Sequence, residues 1–517
     1  MGQKIQKKKV TGFNVNFFLK IIKFRLKGSS FVGLKLLKIY AKLWGKIARL
    51  ICRFASVKST LSDLGYMSTD ISIKKGLDIK LKGAAKPTVE AAINSKYFAV
   101  KPSDFHGVIP KLILKEGQAV KAGQPIFFDK SNEDVKFVSP VSGKIIEIAR
   151  GEKRKILSIK IEADSTQEYM DHGVLNVDTA SQEEIKSKLL ASGCWAFIKQ
   201  RPYDIIAGVN SEPKSIFISA HATAPLAASY EVVLKGQEEV IQIALTALSK
   251  LTKGNVHVGV PNSEGSVFSG MKNIVTHRVK GPHPSGNVGT LINKIDPVNK
   301  GEVVWTLSPQ DLVIIGKLLK TGQFDATRVI AFCGSSVSEP RYMTTKIGAE
   351  LATILYDKGI EQSAHVRIIM GNVLTGKKSA PDGFIDFYNN SLTVIPEGDD
   401  YELFGWNKPV FNKISSTRAL TFSWMFPNKE YDLNTNTNGE HRAFVVTGNY
   451  EEVFPLDIYP MQLLKSCMYK DLDEMEILGM YEVAPEDFAL TEFICVSKQP
   501  HQEIIREGLD LMIKEIG

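Results

Sequence analysis

The sequence predicts an α/β protein made of several domains, and three patterns in its 517 residues support that prediction. Residues 106–163 contain short apolar runs separated by glycine turns, which is typical of a small β domain. Residues 180–325 alternate helical patterns with buried-strand runs, which favours an α/β layer with a largely parallel sheet. Residues 326–382 repeat strand, helix and strand in a smaller unit. After a leader at 1–66, the predicted domains are 67–165, 180–325, 326–382 and 383–517.

The first 66 residues differ in composition from the remainder of the chain. They contain fifteen Lys or Arg and one acid, Asp63, in a chain of net charge +9, so residues 67–517 carry a net charge of −5. A mildly acidic body gives no electrostatic reason to expect nucleic acid as a partner. Between Phe31 and Phe54, basic residues recur every three or four positions opposite an apolar face, which is typical of a helix on an anionic membrane surface. The alternative is that translation starts at Met67 and that the leader is a mis-assigned extension.

The first domain is predicted from its regularly spaced glycine turns. Gly117 and Gly123 separate apolar runs in HGVIPKLILKEGQAVKAGQPIFF, and further turns follow at Gly143 and Gly151. The pattern resembles the barrel-sandwich hybrid of lipoyl and biotinyl carrier domains. That resemblance makes Lys130 a candidate carrier lysine, but Lys130 lies thirteen residues before Gly143, further than in lipoyl domains. We therefore expect an unmodified surface lysine, whereas a carrier would show a mass increment on Lys130.

The second domain is predicted from helix and strand patterns in alternation. The segment SQEEIKSKLLASG has an acidic first turn and ends on Gly193, as an α-helix should. A buried strand is expected at 215–220, a strongly periodic helix at 237–254, and a strand in NVHVGV directly after it. The loop GPHPSGNVGT at 281–290 contains three glycines, two prolines and His283. This loop either lets a ligand or a partner approach closely or is a rigid structural loop.

The last two predicted domains are smaller and less regular. In residues 326–382, ATRVIAFCG and SAHVRIIMG read as strands, with a helix in KIGAELATILYDKG between them. From residue 383 onward, a polar loop precedes helical patterns in LDIYPMQLLKSCMYKDLDEMEILGM and PHQEIIREGLDLMIKEIG. The acidic cluster between Asp471 and Glu476 is interpreted as a solvated helix face rather than a cation site.

Several classes of functional motif are absent from the sequence. The five cysteines are far apart and none has CxxC spacing, which argues against a zinc knuckle or an iron–sulfur cluster built from neighbouring ligands. Neither GxGxxG, a P-loop nor GxSxG occurs. The sequence also lacks a run of about 18 uncharged apolar residues, the length that a membrane span needs. These absences favour a subunit or scaffold over a self-sufficient enzyme.

Motifs spread in order along the chain indicate a known family. They include GLDIKLKGAA (76–85), GQPIFFDK (123–130), SGKIIEIARGEKR (142–154), GCWAFIKQRPYD (193–204), GPHPSGNVGT (281–290), TTKIGAEL (344–351), TNTNGEHRAF (435–444) and GNYEEVFPLDIYPMQLLK (448–465). In these motifs the chain from Met67 to Gly517 resembles the A subunit of the sodium-translocating NADH:quinone reductase. The basic leader lies outside the resemblance.

The resemblance implies a fold for each predicted domain. These are a barrel-sandwich hybrid at 67–165, a Rossmann-like α/β domain at 180–325, a β-grasp-like SLBB unit at 326–382 and a mainly helical domain at 383–517. The family's CPGK motif is Cys495-Val496-Ser497-Lys498 here. One cysteine therefore remains where a cluster would need four.

The resemblance also implies a setting for the chain. The family's complex passes electrons from NADH through flavins and iron to ubiquinone or menaquinone and exports sodium ions. This chain would be a peripheral subunit on the cytoplasmic face of a bacterial inner membrane. FAD, FMN, the iron centres and the NADH site are expected in other subunits, and the quinone-site membrane subunit is the expected partner.

A quinone site is the functional site that this setting suggests. A quinone is a flat apolar ring with two carbonyl oxygens, so its site needs aromatic walls and a few donors. Trp195, Arg201 and His283 supply that chemistry and are the candidate quinone-binding or interface residues. Their structural alternatives are core packing, an ion pair and a loop hydrogen bond, respectively. The competing function is an assembly subunit with no ligand of its own. No metal site, catalytic residue or covalently bound cofactor is expected.

Overall fold

The computed structural model describes six stretches of the chain between Thr69 and Gly517. They are residues 69–261, 265–358, 360, 365–399, 402–446 and 448–517. The basic leader, with its predicted membrane-surface helix and Cys52, lies outside the described residues. Ser68–Gly517 forms one compact unit. Its first two strands, β1 (Thr69–Ser72) and β2 (Lys86–Glu90), join sheets whose other strands come later in the chain.

Seven short strands with glycine turns between them form the first domain, as predicted. They are β3 (Tyr97–Val100), β4 (Pro110–Leu112), β5 (Ala119–Val120), β6 (Pro125–Asp129), β7 (Asn132–Val138), β8 (Gly143–Arg150) and β9 (Ile156–Ala163). They make two sheets, of order β3-β9-β8-β5 and β4-β6-β7. Phe127 and Phe137 stack with ring centroids 4.5 Å apart, and Phe105 lies 4.3 Å from Phe137. These rings fill the core that the two small sheets share.

The second domain is a layered α/β unit. Its elements are α1 (Gln182–Ala191), β10 (Lys199–Arg201), β11 (Ile205–Ile206), β12 (Ser215–Ser219), α2 (Tyr230–Val233), α3 (Glu238–Ser249), β13 (Val256–Pro261), β14 (Val275–Lys280), α4 (Val288–Ile295), β15 (Val304–Leu307) and α5 (Pro309–Thr321). The sheet order is β1-β14-β13-β12-β15-β10-β11. The first five strands in that order are parallel, and β10 and β11 are antiparallel. The predicted, largely parallel sheet is confirmed.

Local interactions determine where α1 begins and ends. At the start of α1, the Ser181 hydroxyl accepts from the Glu184 N–H, and the Glu184 carboxylate accepts from the Ser181 N–H. This capping box satisfies two backbone donors that the first helical turn leaves free. Gly193 has a φ of 75° and ends the segment, a conformation that glycine adopts without strain.

A six-stranded sheet forms most of the third domain. Its elements are β16 (Thr327–Cys333), β17 (Arg341–Lys346), α6 (Leu351–Lys358), β18 (Val366–Met370), β19 (Lys377–Ser379) and β20 (Ser391–Pro396), in the sheet order β19-β18-β20-β16-β17-β2. The sheet includes β20, which comes from beyond residue 382, where the sequence places the start of the helical domain. The short run SLTVIP is buried at five of its six positions, so it pairs on both sides with β16 and β18.

The end of the chain folds into helices around a second core. They are α7 (Asn449–Val453), α8 (Pro460–Tyr469), α9 (Leu472–Ile477), α10 (Ala489–Phe493) and α11 (His501–Glu515). Ile79 and Leu81, between β1 and β2, pack into this core with Phe454 and Leu463. The predicted acidic helix face begins with Asp471, whose carboxylate accepts from the Glu474 N–H and caps α9. Within the described stretches, no helix is both long and apolar enough to cross a membrane.

Candidate functional site

The candidate site lies at the carboxyl edge of the parallel sheet. In open α/β sheets, ligands bind outside the carboxyl ends of the strands. At this edge β12 leads into residues 220–229, and β14 leads into the glycine-rich loop at 281–287, directly before α4. Residues 482–487 of the C-terminal domain contact Arg201 and lie along α4, from Asn287 just before its first turn to Asn293 near its end. Of the three candidate residues, His283 lies at this edge, whereas Arg201 is opposite Val304 at the amino end of β15, and its guanidinium reaches the first turn of α4.

Trp195 lies inside the second domain and away from solvent. Its ring is 0% exposed, and its Nε1 donates to the carbonyl of Ala207 at 2.8 Å. The ring of Trp305 on β15 meets it edge-on at 5.3 Å. The aromatic face and the donor of Trp195 are therefore both used within the chain, which matches the core-packing alternative.

Arg201, at the end of β10, forms a buried ionic cluster with the C-terminal domain. The side chain is 2% exposed, and its guanidinium donates to Asp487 Oδ2 at 2.6 Å and to the carbonyl of Glu482 at 2.9 Å. A third bond, of 2.8 Å, goes to the carboxylate of Glu486. The cluster joins two segments more than 280 residues apart in sequence. This arrangement matches the ion-pair alternative for Arg201.

Asp487 sets its carboxylate against the first turn of α4. Its Oδ2 also accepts from the Ala484 N–H at 2.9 Å, whereas its buried Oδ1 has no hydrogen-bond partner among the residues that the structure describes. A Cβ added to Gly289, in that first turn, would lie 2.2 Å from Asp487 Oδ1 and 2.6 Å from the Arg201 guanidinium. A helix start of this kind attracts anions, because its N–H groups and its dipole favour negative charge. The Asp487 carboxylate lies beside this turn, but within the described residues it is held by Arg201 and the Ala484 N–H and accepts no N–H of α4.

His283 is held by hydrogen bonds from the loops around it. Its ring Nδ1 lies 3.1 Å from the Thr223 hydroxyl. Its backbone N–H donates to the Asp78 carboxylate at 3.0 Å, and its backbone carbonyl accepts from the Leu77 N–H at 2.8 Å. Burial lowers the pKa of His283 to about 4. The ring is therefore neutral at neutral pH and matches the loop hydrogen-bond alternative.

The glycines of the 281–290 loop allow other parts of the same chain to approach closely. A Cβ at Gly281 would lie 2.3 Å from the carbonyl oxygen of Ile73, and one at Gly286 would lie 2.1 Å from that of His221. These two glycines therefore meet backbone of this chain rather than open space. These contacts favour the interpretation of a rigid structural loop.

Replacing Gly289 by alanine is expected to lower the free energy of unfolding by about 1–3 kcal/mol, because the new methyl group would overlap the Arg201–Asp487 pair. Urea titration followed by circular dichroism measures the change. Gly208→Ala is the matched control, since a Cβ at Gly208 would meet its nearest atom at 3.5 Å. If the two variants have the same free energy of unfolding, the Arg201–Asp487 pair can move away from the new methyl group without loss of stability.

Two histidines that the sequence analysis did not single out form a buried pair in the same sheet. His257 Nδ1 lies 2.9 Å from His277 Nε2, and His277 Nδ1 lies 2.5 Å from the Thr69 hydroxyl at the edge strand β1. Both side chains are buried. The parallel register of β13 and β14 brings them together. A separation of 20 residues in the sequence does not indicate that His257 and His277 are in contact unless that register is known.

The remaining candidate groups lie elsewhere. Lys130 is exposed in the tight turn between β6 and β7, so the prediction that it is unmodified stays a prediction. Cys495 is buried, with its Sγ 2.9 Å from the hydroxyl of Tyr450. Among the residues that the structure describes, no group of three or more His, Cys, Asp or Glu is arranged to hold a metal ion.

Three family models match consecutive parts of the chain. Residues 71–164 match the NqrA N-terminal barrel-sandwich hybrid domain. Residues 180–324 match the NqrA second alpha/beta domain, and residues 329–380 match the NQRA C-terminal domain, a model of the SLBB type. The predicted barrel-sandwich, α/β and SLBB units are therefore confirmed.

Curated relatives match the chain over nearly their whole length. The NqrA subunit of the Na(+)-translocating NADH-quinone reductase of Rhodopirellula baltica is 36% identical over 448 residues, which covers 86% of this chain and 98% of the relative. The same protein of Neisseria meningitidis serogroup B is 38% identical over 452 residues and is covered completely. A solved NAD+-reducing [NiFe]-hydrogenase in its H2-reduced state superposes with a TM-score of 0.30 at 11% identity, over 43% of this chain and 50% of that one.

Proposed function

The chain belongs to the NqrA family, the A subunits of the Na(+)-translocating NADH-quinone reductase, and we propose that it is the peripheral subunit that docks on the membrane subunits of that complex. The relatives are subunits of an enzyme complex, and the match covers 98% or more of their length. This end-to-end match is the observation that carries the proposal. In this role the chain lies on the cytoplasmic face of the membrane, and the electron carriers and the sodium path belong to other subunits.

We further propose that the chain helps to form the quinone site through buried residues that hold other segments in position. Arg201 ties β10 to the C-terminal domain through Asp487. The loop of His283, at the carboxyl edge of the sheet, is tied to Asp78 by the His283 backbone N–H. Trp195 packs edge-on against Trp305 of β15. These three are therefore positioning residues, and the groups that touch the quinone lie on loops that they hold or on the membrane partner.

An assembly subunit with no ligand is the second candidate function. The observation that favours it is that the aromatic ring, the guanidinium and the imidazole proposed for quinone all have partners within the chain. Under this function the buried Arg201 cluster stabilises a rigid platform for the other subunits, and removing quinone from the complex changes nothing in this chain.

Co-purification is the direct test of membership in the complex. A tagged full-length chain, expressed in its native host, is expected to bring down flavin-containing membrane proteins together with sodium-stimulated NADH:quinone activity. The control is the same chain with the tag removed, which should recover none of them. Recovery of the chain alone, or NADH oxidation by the isolated chain, would contradict the proposed function.

A quinone titration then separates the two candidate functions. Saturable binding of a quinone or a quinone-site inhibitor, with a defined stoichiometry and competed by a second quinone, supports the shared quinone site. If the purified complex binds quinone and cross-linking of a photoreactive quinone never labels this chain, the assembly function is the better description.

A further inference from the structure

One surface segment, residues 402–429, exposes an unusual amount of apolar side chain. Its exposed members are Leu403, Phe404, Phe411, Leu420, Trp424, Met425 and Phe426, between 41% and 80% exposed. The rings of Phe411 and Phe422 stack at 5.1 Å, and Phe426 meets Phe411 edge-on at 6.5 Å. The aromatic side chains therefore pack on one another at the surface instead of entering a core. Contiguous apolar patches of this kind on a protein surface mark interaction sites.

The segment is attached to the folded body by backbone hydrogen bonds. Tyr431, just after it, donates its N–H to the carbonyl of Lys80 at 2.9 Å and accepts from the Lys82 N–H at 3.0 Å. Within the segment, the Val410 N–H donates to the Leu420 carbonyl at 2.8 Å, and the Phe422 N–H donates to the Val410 carbonyl at 2.9 Å. These hydrogen bonds hold the backbone of the segment in a defined conformation.

The segment is rich in cations, although acids flank it at Asp399, Glu430 and Asp432. It contains four cations and one acid, Glu402, whereas residues 67–517 as a whole have a net charge of −5. Lys408 and Lys413 both pair with Glu402. The other two cations lie over the exposed rings: Arg418 is 5.9 Å from the centre of Trp424, and Lys429 is 6.0 Å from that of Phe426. Basic groups therefore border the aromatic patch.

We infer that residues 402–429 lie on an anionic lipid surface, with the aromatic side chains at the depth of the headgroups and the cations beside the lipid phosphates. Trp and other aromatic residues bordered by Lys and Arg are typical of membrane–water interfaces. Basic residues are attracted to anionic lipid, whereas Lys is depleted at protein–protein interfaces. The inference extends the proposed membrane docking, but its test needs no partner protein, so the two can fail separately.

A fluorescent label in the patch tests the inference. Met425→Cys, at an exposed position, is labelled with nitrobenzoxadiazole in the full chain carrying Cys52→Ser, since the four cysteines that the structure describes are buried. Addition of vesicles of equal parts phosphatidylglycerol and phosphatidylcholine is expected to shift the emission to shorter wavelength and raise its intensity. Pure phosphatidylcholine vesicles should give a smaller shift, and added salt should reduce the response to the anionic vesicles.

The control places the same label at Tyr469→Cys, an exposed aromatic position outside the segment. Its emission should stay unchanged, which separates contact by the patch from tethering by the basic leader. Adding Phe426→Ser to the Met425→Cys chain should reduce the shift. An unchanged label at residue 425 on vesicle-bound protein overturns the inference. So does a label that responds to detergent-solubilised membrane subunits and not to lipid, which would make the patch a protein-binding surface.

Discussion

Replacing Asp487 by alanine is expected to lower the free energy of unfolding by about 3–5 kcal/mol, the range observed when one partner of a buried ion pair is removed. Asp487 is 0% exposed, and its partner Arg201 is 2% exposed. Without the Asp487 carboxylate, the Arg201 cation keeps only the Glu486 carboxylate, which is 41% exposed, and the Glu482 carbonyl. Arginine cannot shed its charge, so an under-compensated cation stays buried. Urea titration of the full chain at neutral pH measures the loss.

Two further variants make the interpretation specific. Arg201→Met/Asp487→Leu removes both charges, and the cost should be well below the sum of the two single replacements, because no buried charge is left. Glu212→Ala breaks an exposed pair in which Lys253 is 85% and Glu212 is 65% exposed, and should change stability by less than about 1 kcal/mol. If Asp487→Ala unfolds at the same urea concentration as Glu212→Ala, the cluster does not stabilise the fold.

The Arg201 cluster also shows why part of the site could not be predicted from the sequence. Arg201 was identifiable as a candidate because it lies in a family motif, but its partners Glu482 and Asp487 lie in an unremarkable stretch near the C-terminus. Pairing over 286 residues depends on how the C-terminal helices pack on the sheet. Local patterns contain no information on that packing. The sequence is therefore consistent with either a ligand contact or an ion pair for Arg201.

Local structure was predicted more successfully, for a physical reason. The acidic first turn of α1, the turn at Gly193 and the periodic helix α3 each depend on neighbouring residues, and all three are present. Strand β20 was missed because a six-residue apolar run has no helical or alternating period to distinguish it from irregular chain. The glycines of the 281–290 loop are visible in the sequence, but the groups that each one contacts come from distant segments and depend on the tertiary structure.

Acidification is expected to destabilise the wild-type chain relative to His257→Leu/His277→Leu. Burial lowers the pKa of both histidines to about 4, although Asp296 acts in the opposite direction on His257. In the unfolded chain a histidine titrates near about 6.5. Between these values the unfolded state binds more protons than the folded state, so stability is complete above pH 6.5 and falls as the pH drops towards 4. Each histidine contributes a loss of up to about 1.4 kcal/mol per pH unit in that window.

The difference between the two proteins is the useful quantity, because other buried groups titrate in the same range with the opposite sign. Burial raises the pKa of Asp104 to about 6, so protonation of that carboxyl stabilises the folded state as the pH falls. Both proteins contain Asp104, and its contribution cancels in the comparison. Phe454→Leu is the control: its ring packs against Phe488 at 4.9 Å in the second core, so its loss should destabilise the chain by a similar amount at every pH. Parallel stability curves for wild type and the double variant from pH 8 to pH 4.5 would mean that water or a neighbouring acid compensates the charge on the histidine pair.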